Sequence, residues 1–214
     1  MNSKGPIPPS VVKRMTKYLA YVQGLCEDNV AWVSSSELAD TLGMTSSTVR
    51  QDLSHLDFSG TSKRGYETAG LAQVLVKALG VDEEWRMVVA GAGNLGRALV
   101  LHRDFERRGF RICAIFDNDK RKIGTRVGAL TVQGMRELPT VVQEQNIQLG
   151  VIAVPPAAAQ SVADIMIASR MRGLLNLALT HIIAPRQVAV IDARIAASLL
   201  ELSYAVKTMS EPAR

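Results

Sequence analysis

The stretch from Arg86 to Leu101 constrains this 214-residue chain more than any other. An apolar run, Arg86-Met87-Val88-Val89-Ala90, passes directly into Gly91-Ala92-Gly93-Asn94-Leu95-Gly96 and then into Arg97-Ala98-Leu99-Val100-Leu101. Glycines at G-x-G-x-x-G spacing, with a buried-type strand before and a helix after, predict one local geometry. Gly91 permits a tight turn, Gly93 lets a pyrophosphate approach the backbone, and Gly96 lets helix and strand pack closely. The helix N-terminus then faces the anion. A second apolar run, Phe110 to Phe116, ends at Asp117, 21 residues after Gly96. An acid at that distance suits a ribose hydroxyl and favours NAD(H) over NADP(H). Lys120, Arg121 and Lys122 follow it, so charge alone does not exclude a 2′-phosphate. Gly91, Ala92, Gly93, Asn94, Leu95, Gly96 and Asp117 are the first candidate cofactor-binding residues, against the alternative of a purely structural Rossmann domain.

The alternation of strands and helices continues. Leu149 to Val154 reads as a strand, Ala157 to Ser169 as a helix, Gly173 to Leu179 as a strand and Gln187 to Ile191 as a last short one. That pattern predicts a doubly wound parallel sheet, in which ligands bind outside the carboxyl ends of the strands. Val154, Pro155 and Asn176 therefore join the candidates, at the nicotinamide end. The tail from Asp192 to Met209 carries Ile195, Leu199, Leu202 and Val206 at helical spacing. So broad an apolar face has to pack on its own sheet or on another chain.

Before residue 80 the chain reads as short helices. Pro8-Pro9-Ser10 resembles a helix start with serine as the cap, followed by Val12, Met15, Leu19, Val22 and Leu25 on one face. A capping serine near Glu37 opens a second helix to Leu42, Gly43 stops it, and Thr45-Ser46-Ser47 caps a third from Thr48 to Leu56. With Val49, Leu53 and Leu56 inward, this is a helix-turn-helix arrangement. Its second helix presents Ser46, Ser47 and Thr48, suited to phosphates, and Arg50 and Gln51, suited to base edges in double-stranded DNA. Phe58 to Tyr66, with Lys63 and Arg64 at its tip, reads as a wing. A three-helix interaction module with a charged loop fits the same stretch.

Composition narrows the class. At 47% hydrophobic the chain is not disordered, and 16 Gly with 8 Pro exclude a collagen. Cys26 and Cys113 are too few for a disulfide scaffold, and three scattered histidines suggest no metal site. No apolar run reaches the roughly 20 residues of a membrane span, and the first residues lack the apolar core of a secretory signal, so a cytoplasmic location is expected. The net charge of +5 is only a hint of nucleic acid. Its distribution says more: Lys4, Lys13, Arg14 and Lys17 precede an acidic stretch, and Lys63 and Arg64 follow it. A dehydrogenase needs a positioned acid or base beside the nicotinamide. His102 and His181, the only imidazoles after residue 80, sit in no catalytic motif. The expected organisation is a winged-helix DNA-binding domain over 1–81, a Rossmann NAD(H)-binding domain over 82–191 and a C-terminal helix over 192–214. A nucleotide would then shift the chain between DNA-competent and DNA-incompetent arrangements. An NAD-dependent oxidoreductase, or a DNA-binding regulator whose Rossmann domain serves only dimerisation, are the alternatives.

The combination resembles the Rex family of redox-sensing transcriptional repressors. The matching stretches are Ile7-Pro8 through Lys13-Arg14, Val33-Ser34-Ser35, Val49-Arg50-Gln51-Asp52-Leu53-Ser54, Gly91 to Leu99, Arg108-Gly109-Phe110-Arg111, Val154-Pro155, Ala158-Ala159-Gln160 and Leu175-Asn176. The resemblance implies a homodimer on an inverted-repeat operator, with the C-terminal helix exchanged between subunits, that releases DNA when NADH binds. Three positions depart from the family. This chain has His102 where members carry tyrosine, Leu177 where they carry phenylalanine, and Arg194 where they carry an aspartate near the start of the tail helix. In the family that aspartate takes part in a switch with the tyrosine and with an arginine matching Arg14. His102 thus joins the cofactor candidates, and Arg14 with Arg194 are the switch candidates, although two arginines repel. The adenosine and pyrophosphate end is intact and the nicotinamide end is rewritten. NAD(H) binding follows from the first; discrimination between NADH and NAD⁺ does not follow from the second.

Overall fold

The computed structural model describes residues 5–209. Lys4 of the expected basic arm and residues 210–214 of the expected tail lie outside the described residues. The chain divides between Glu83 and Glu84 into two compact units.

In the first unit α1 (Pro9–Glu27), β1 (Trp32–Val33), α2 (Ser35–Leu42), α3 (Ser46–Leu53), β2 (Tyr66–Glu67) and α4 (Thr68–Ala78) follow one another. Pro9 opens α1 because its fixed φ and missing N–H cost nothing in a first turn. Pro8 holds the cap position, and Ser10 lies inside the helix rather than capping it. The inward face is Val11, Met15, Tyr18, Leu19 and Val22; Met15, Leu19 and Val22 lie on the face the spacing predicts, while Val12 and Leu25 are half-buried. It packs on Leu38, Val49, Leu53, Leu71 and Leu75 in a single core. Ser34 and Glu37 form a reciprocal capping box at the start of α2, and Gly43 ends that helix in the left-handed region at φ +65°. Thr45 caps α3 by accepting the Thr48 N–H, so α3 starts two residues earlier than predicted. The antiparallel pair β1–β2 and a bridge between Thr61 and Gly65 frame the segment read as a wing.

The second unit runs β3 (Trp85–Ala90), α5 (Asn94–Leu101), α6 (Asp104–Arg107), β4 (Phe110–Asp117), β5 (Arg126–Val127), β6 (Leu130–Gly134), α7 (Leu138–Glu144), β7 (Leu149–Ile152), α8 (Pro156–Ala168), β8 (Gly173–Asn176), β9 (Ala189–Asp192) and α9 (Ile195–Met209). The sheet order is β5-β6-β4-β3-β7-β8-β9, parallel except for the edge hairpin β5–β6. Strand order therefore reverses at β3, between β4 and β7, where a doubly wound sheet opens its ligand crevice. Alternation along β3 sends Val88 and Ala90 to the face covered by α7 and α8, and Met87 and Val89 to the face of α5. β8 stops at Asn176 rather than Leu179.

The α5 face is left partly bare. Leu99, Phe110, Leu149, Val151, Leu175 and Ile191 line an almost wholly apolar hollow of about 460 Å³ there. α9 buries none of its residues; Ile195, Leu199 and Leu202 are 68%, 60% and 58% exposed. Among the described residues no helix is long and apolar enough to cross a membrane.

Candidate functional site

The turn after β3 divides its three glycines by role. A Cβ on Gly91, at φ +106°, would meet the Ala153 carbonyl oxygen at 2.2 Å, and one on Gly96 would meet the Gly91 carbonyl oxygen at 1.9 Å. Both are excluded by backbone. At Gly93 a Cβ would meet nothing within 4 Å. Gly93 is also the cap residue of α5, and no side chain satisfies that helix start. Its first N–H groups have no partner within the helix, so the turn offers donors and a positive dipole end to open space.

That space is a cleft of about 460 Å³, within the range of small-ligand sites. Gly91, Gly93, Asn94, Leu95, Asp117, Val154 and Pro155, all cofactor candidates from the sequence, line it. Ala92 contributes behind the turn, its N–H donating to Asp117 Oδ2 at 2.8 Å. Asp117 Oδ1 accepts the Asp119 N–H, and Oδ2 also accepts from Lys122 Nζ at 2.9 Å. Burial pushes the Asp117 carboxyl up, but these hydrogen bonds and the Lys122 charge outweigh it and hold it below the usual carboxylate range. Asp119, half-buried, is drawn down to about 2 by its bonds from Arg121. Lys122, Met135 and Val162 also line it and are not among the site residues the sequence points to. A cation five residues after the acid was the available signal for Lys122; the apolar floor gives none before the fold is known.

Two candidates stand apart from the cleft. His102 follows the last residue of α5, eight residues beyond Asn94, which is about 12 Å along a helix. It lies edge-on to Phe105 at 5.0 Å and lines a separate hollow with Arg103, Glu106 and Gly128. Asn176 is wholly buried: Nδ2 donates to the Thr180 carbonyl and to Asp192 Oδ1, and Oδ1 accepts the Ala178 N–H. Its amide organises the loop after β8 rather than facing the cleft.

The first unit gathers the other candidates. Arg50 and the wing residues Thr61, Ser62, Lys63 and Arg64 line one concave surface together with Ser34 and Ser35. Arg50 Nη1 donates to Ser35 Oγ at 3.1 Å. Ser47 and Gln51 are exposed on α3; Ser46 and Thr48 are half-buried at its start. Lys63 holds the wing tip in a left-handed turn at φ +61°. Arg64 does not share that tip: its guanidinium folds back over the Trp32 ring at 4.1 Å, a cation–π contact.

Asp52, one residue beyond Gln51, is the site residue that the sequence hid among the acidic surface. It is 2% exposed. Arg14 Nε and Nη2 donate to its two oxygens at 2.6 and 2.7 Å, and Tyr18 OH donates at 2.6 Å. Its place at i+3 from Val49, on the inner face with Leu53 and Leu56, was the readable signal. Burial pushes the Asp52 carboxyl up, and the bonds from Arg14 and Tyr18 bring it below its usual value. Arg194 Nη2 meanwhile donates to Asp192 Oδ2 at 2.9 Å. Each arginine of the expected switch has a carboxylate partner in its own unit.

The family model described as "Putative DNA-binding protein N-terminus" matches residues 6–54, and "CoA binding domain" matches 82–180. Redox-sensing transcriptional repressor Rex of Desulforamulus reducens is 38% identical over 203 residues, covering 94% of this chain and 97% of the relative. Rex 1 of Thermotoga maritima is 39% identical over 201 residues, covering 94% and 96%. The crystal structure of RSP in complex with beta-NADH matches at TM-score 0.88 and 29% identity over 96% of this chain and 97% of that one. RSP in complex with beta-NAD⁺ and operator DNA matches at 0.89 and 28%, over 96% and 95%. Two modules with these geometries, collinear with such relatives over 94–97% of each chain, leave one assignment: the chain belongs to the Rex family of redox-sensing transcriptional repressors.

Proposed function

We propose that this protein is a homodimeric, DNA-binding transcriptional repressor whose operator affinity is modulated by NAD(H) in the cleft at the carboxyl ends of β3 and β7. The observation that carries this reading is the contrast among the three glycines: backbone closes on positions 91 and 96, while Gly93 opens an uncapped helix start to a ligand. The pyrophosphate would lie against Gly93, Asn94 and Leu95, and Asp117 would take the adenosine ribose. Lys122 would then leave or share Asp117, since ribose hydroxyls and ammonium compete for the same oxygen. Relatives named as redox-sensing repressors, and RSP complexes with NADH and with NAD⁺ and operator DNA, support the assignment.

The DNA-binding role falls to residues 1–81, the nucleotide role to 82–191 and dimer contact to 192–214. Arg50 and Gln51 would read bases of an inverted repeat, Ser46, Ser47 and Thr48 would hold phosphates, and Lys63 would reach the backbone from the wing. Exchange of α9 between two chains would lay Ile195, Leu199 and Leu202 in the apolar hollow of the partner's sheet. We assign no catalytic step, because the only ionisable side chains lining the cleft among the described residues, Asp117 and Lys122, are paired with each other. A repressor acts where its DNA is, so the protein is assigned to the cytoplasm.

His102, Leu177 and Arg194 stand where the family's nicotinamide-reading and switch residues are expected, so the redox response is read as weaker than the family's. Calorimetric titration of NAD⁺ and NADH tests both parts. Both nucleotides are expected to bind, with affinities within about 0.5 kcal/mol, a factor of two to three. A tenfold preference for NADH would restore a full redox sensor, and binding of neither would make the fingerprint structural.

A further inference from the structure

We propose that Asp52 is a positioning residue that sets the rotation of α3 on α1 through Arg14 and Tyr18, and that Arg14 serves this pin rather than a switch with the tail helix. The proposal rests on the DNA-binding reading above and asks what aims the recognition helix.

α3 is eight residues long and anchors through few apolar side chains, Val49 and Leu53 within it and Leu56 just after. α1 has 19 residues and five buried ones, so it is the frame. Side chains advance about 100° per residue round a helix. With Asp52 turned inward, Gln51 and Arg50 are turned about 100° and 200° away from it, toward solvent. A side-chain tip about 9 Å from the axis moves about 3 Å if the helix rotates by 20°, a whole hydrogen-bond length. Apolar contacts tolerate such a slide better than a bidentate ion pair does, because the guanidinium fork accepts a carboxylate in one plane only. Tyr18 OH supplies a third donor, to the same Oδ2 that accepts Arg14 Nε. Removing Arg14 from this site would leave a buried carboxylate with a single phenolic donor, which opposes any switch that draws Arg14 to a distant partner. Arg194, held by Asp192, offers Arg14 no charge to move toward.

Three roles for Arg14 predict different DNA behaviour in nucleotide-free protein. The probe is a duplex enriched by the full-length protein from a randomised pool, compared with a scrambled duplex of equal length. Two variants keep the core filled: Arg14→Lys retains charge but loses the fork, and Tyr18→Phe removes one donor. Both are assayed below their measured unfolding temperatures. A positioning role lowers the ratio of selected-site to scrambled affinity about tenfold in Arg14→Lys and less in Tyr18→Phe, with scrambled affinity unchanged within twofold. An equal fall on both duplexes would make Arg14 a phosphate contact or a generic fold residue. An unchanged ratio in both variants would return Arg14 to a switch role. Either result overturns the proposal. Failure of the pool to yield any enriched duplex would instead sink the DNA-binding reading itself and the positioning role with it.

Discussion

Gly93 and Gly96 are three residues apart and differ sharply in what a methyl group would meet, which makes them an informative pair. Alanine at 96 would drive a Cβ into the Gly91 carbonyl oxygen. The turn or the strand has to move, so a loss of several kcal/mol is expected, together with loss of nucleotide binding. Alanine at 93 meets no protein atom. Thermal unfolding of Gly93→Ala is expected within about 0.5 kcal/mol of wild type, while NADH fluorescence titration shows affinity down tenfold or more, because the methyl occupies pyrophosphate space. A Gly93→Ala protein that binds NADH normally would remove the pyrophosphate from this turn. At this scale the sequence was most legible where the demand is local. The glycine spacing and Asp117 needed only a strand, a turn and a helix to be interpreted. Lys122, Asn176 and Asp52 were not legible in the same way, because their roles arise from partners 5, 16 and 38 residues away.

Elements were legible where side chains cap them and less so where tertiary contacts decide. Gly43 ends α2 as the sequence predicts, and Ser34 and Thr45 turn out to be the caps within the serine and threonine runs before α2 and α3, because each satisfies backbone groups of its own helix. β8 ends early because the Asn176 amide bonds the backbone at 178 and 180, pulling the chain out of the sheet. The hairpin β5–β6 is not legible in the sequence, because its first strand has only two residues and carries no periodicity. The α1–α3 tie makes α3 sensitive to acid in a definite direction. Asp52 has its folded-state pKa below the unfolded value, so its contribution is full above about pH 4 and is lost as pH falls through the lower, folded value. Hydrogen exchange of α3 amides, corrected for intrinsic rates, is expected to show Asp52→Asn less protected by about 1–3 kcal/mol at pH 7, with the gap closing below pH 4. A gap independent of pH would mean that the charge of Asp52 contributes nothing. The wing makes a separate prediction. Lys63 stands alone at the tip because Arg64 is committed to Trp32. Lys63→Ala is therefore expected to lower the log–log salt slope of DNA binding by about 0.9 for each phosphate that the lysine neutralises, and Arg64→Ala by less.

At the scale of the molecule, the second unit presents two apolar surfaces of matching character, the stripe of α9 and the hollow on the α5 face of the sheet. A lone helix with Ile195, Leu199 and Leu202 in water is a poor end state, since covering each such side chain contributes about 1.5–3 kcal/mol. Symmetric exchange would cover both surfaces twice over with one interface, as a two-fold axis requires. The contact would then be obligate, and its disruption separable from the cleft, whose lining comes from the second unit alone. Replacing Leu199 and Leu202 together by aspartate is expected to drop the mass in light scattering from about twice 23.2 kDa to 23.2 kDa. Operator affinity should fall steeply, because two recognition helices no longer arrive one turn of DNA apart. ADP-ribose, which probes only the adenosine and pyrophosphate end, should bind the variant within about threefold of wild type. A double variant that stays dimeric would put the dimer contact elsewhere, and α9 would need another surface to cover it.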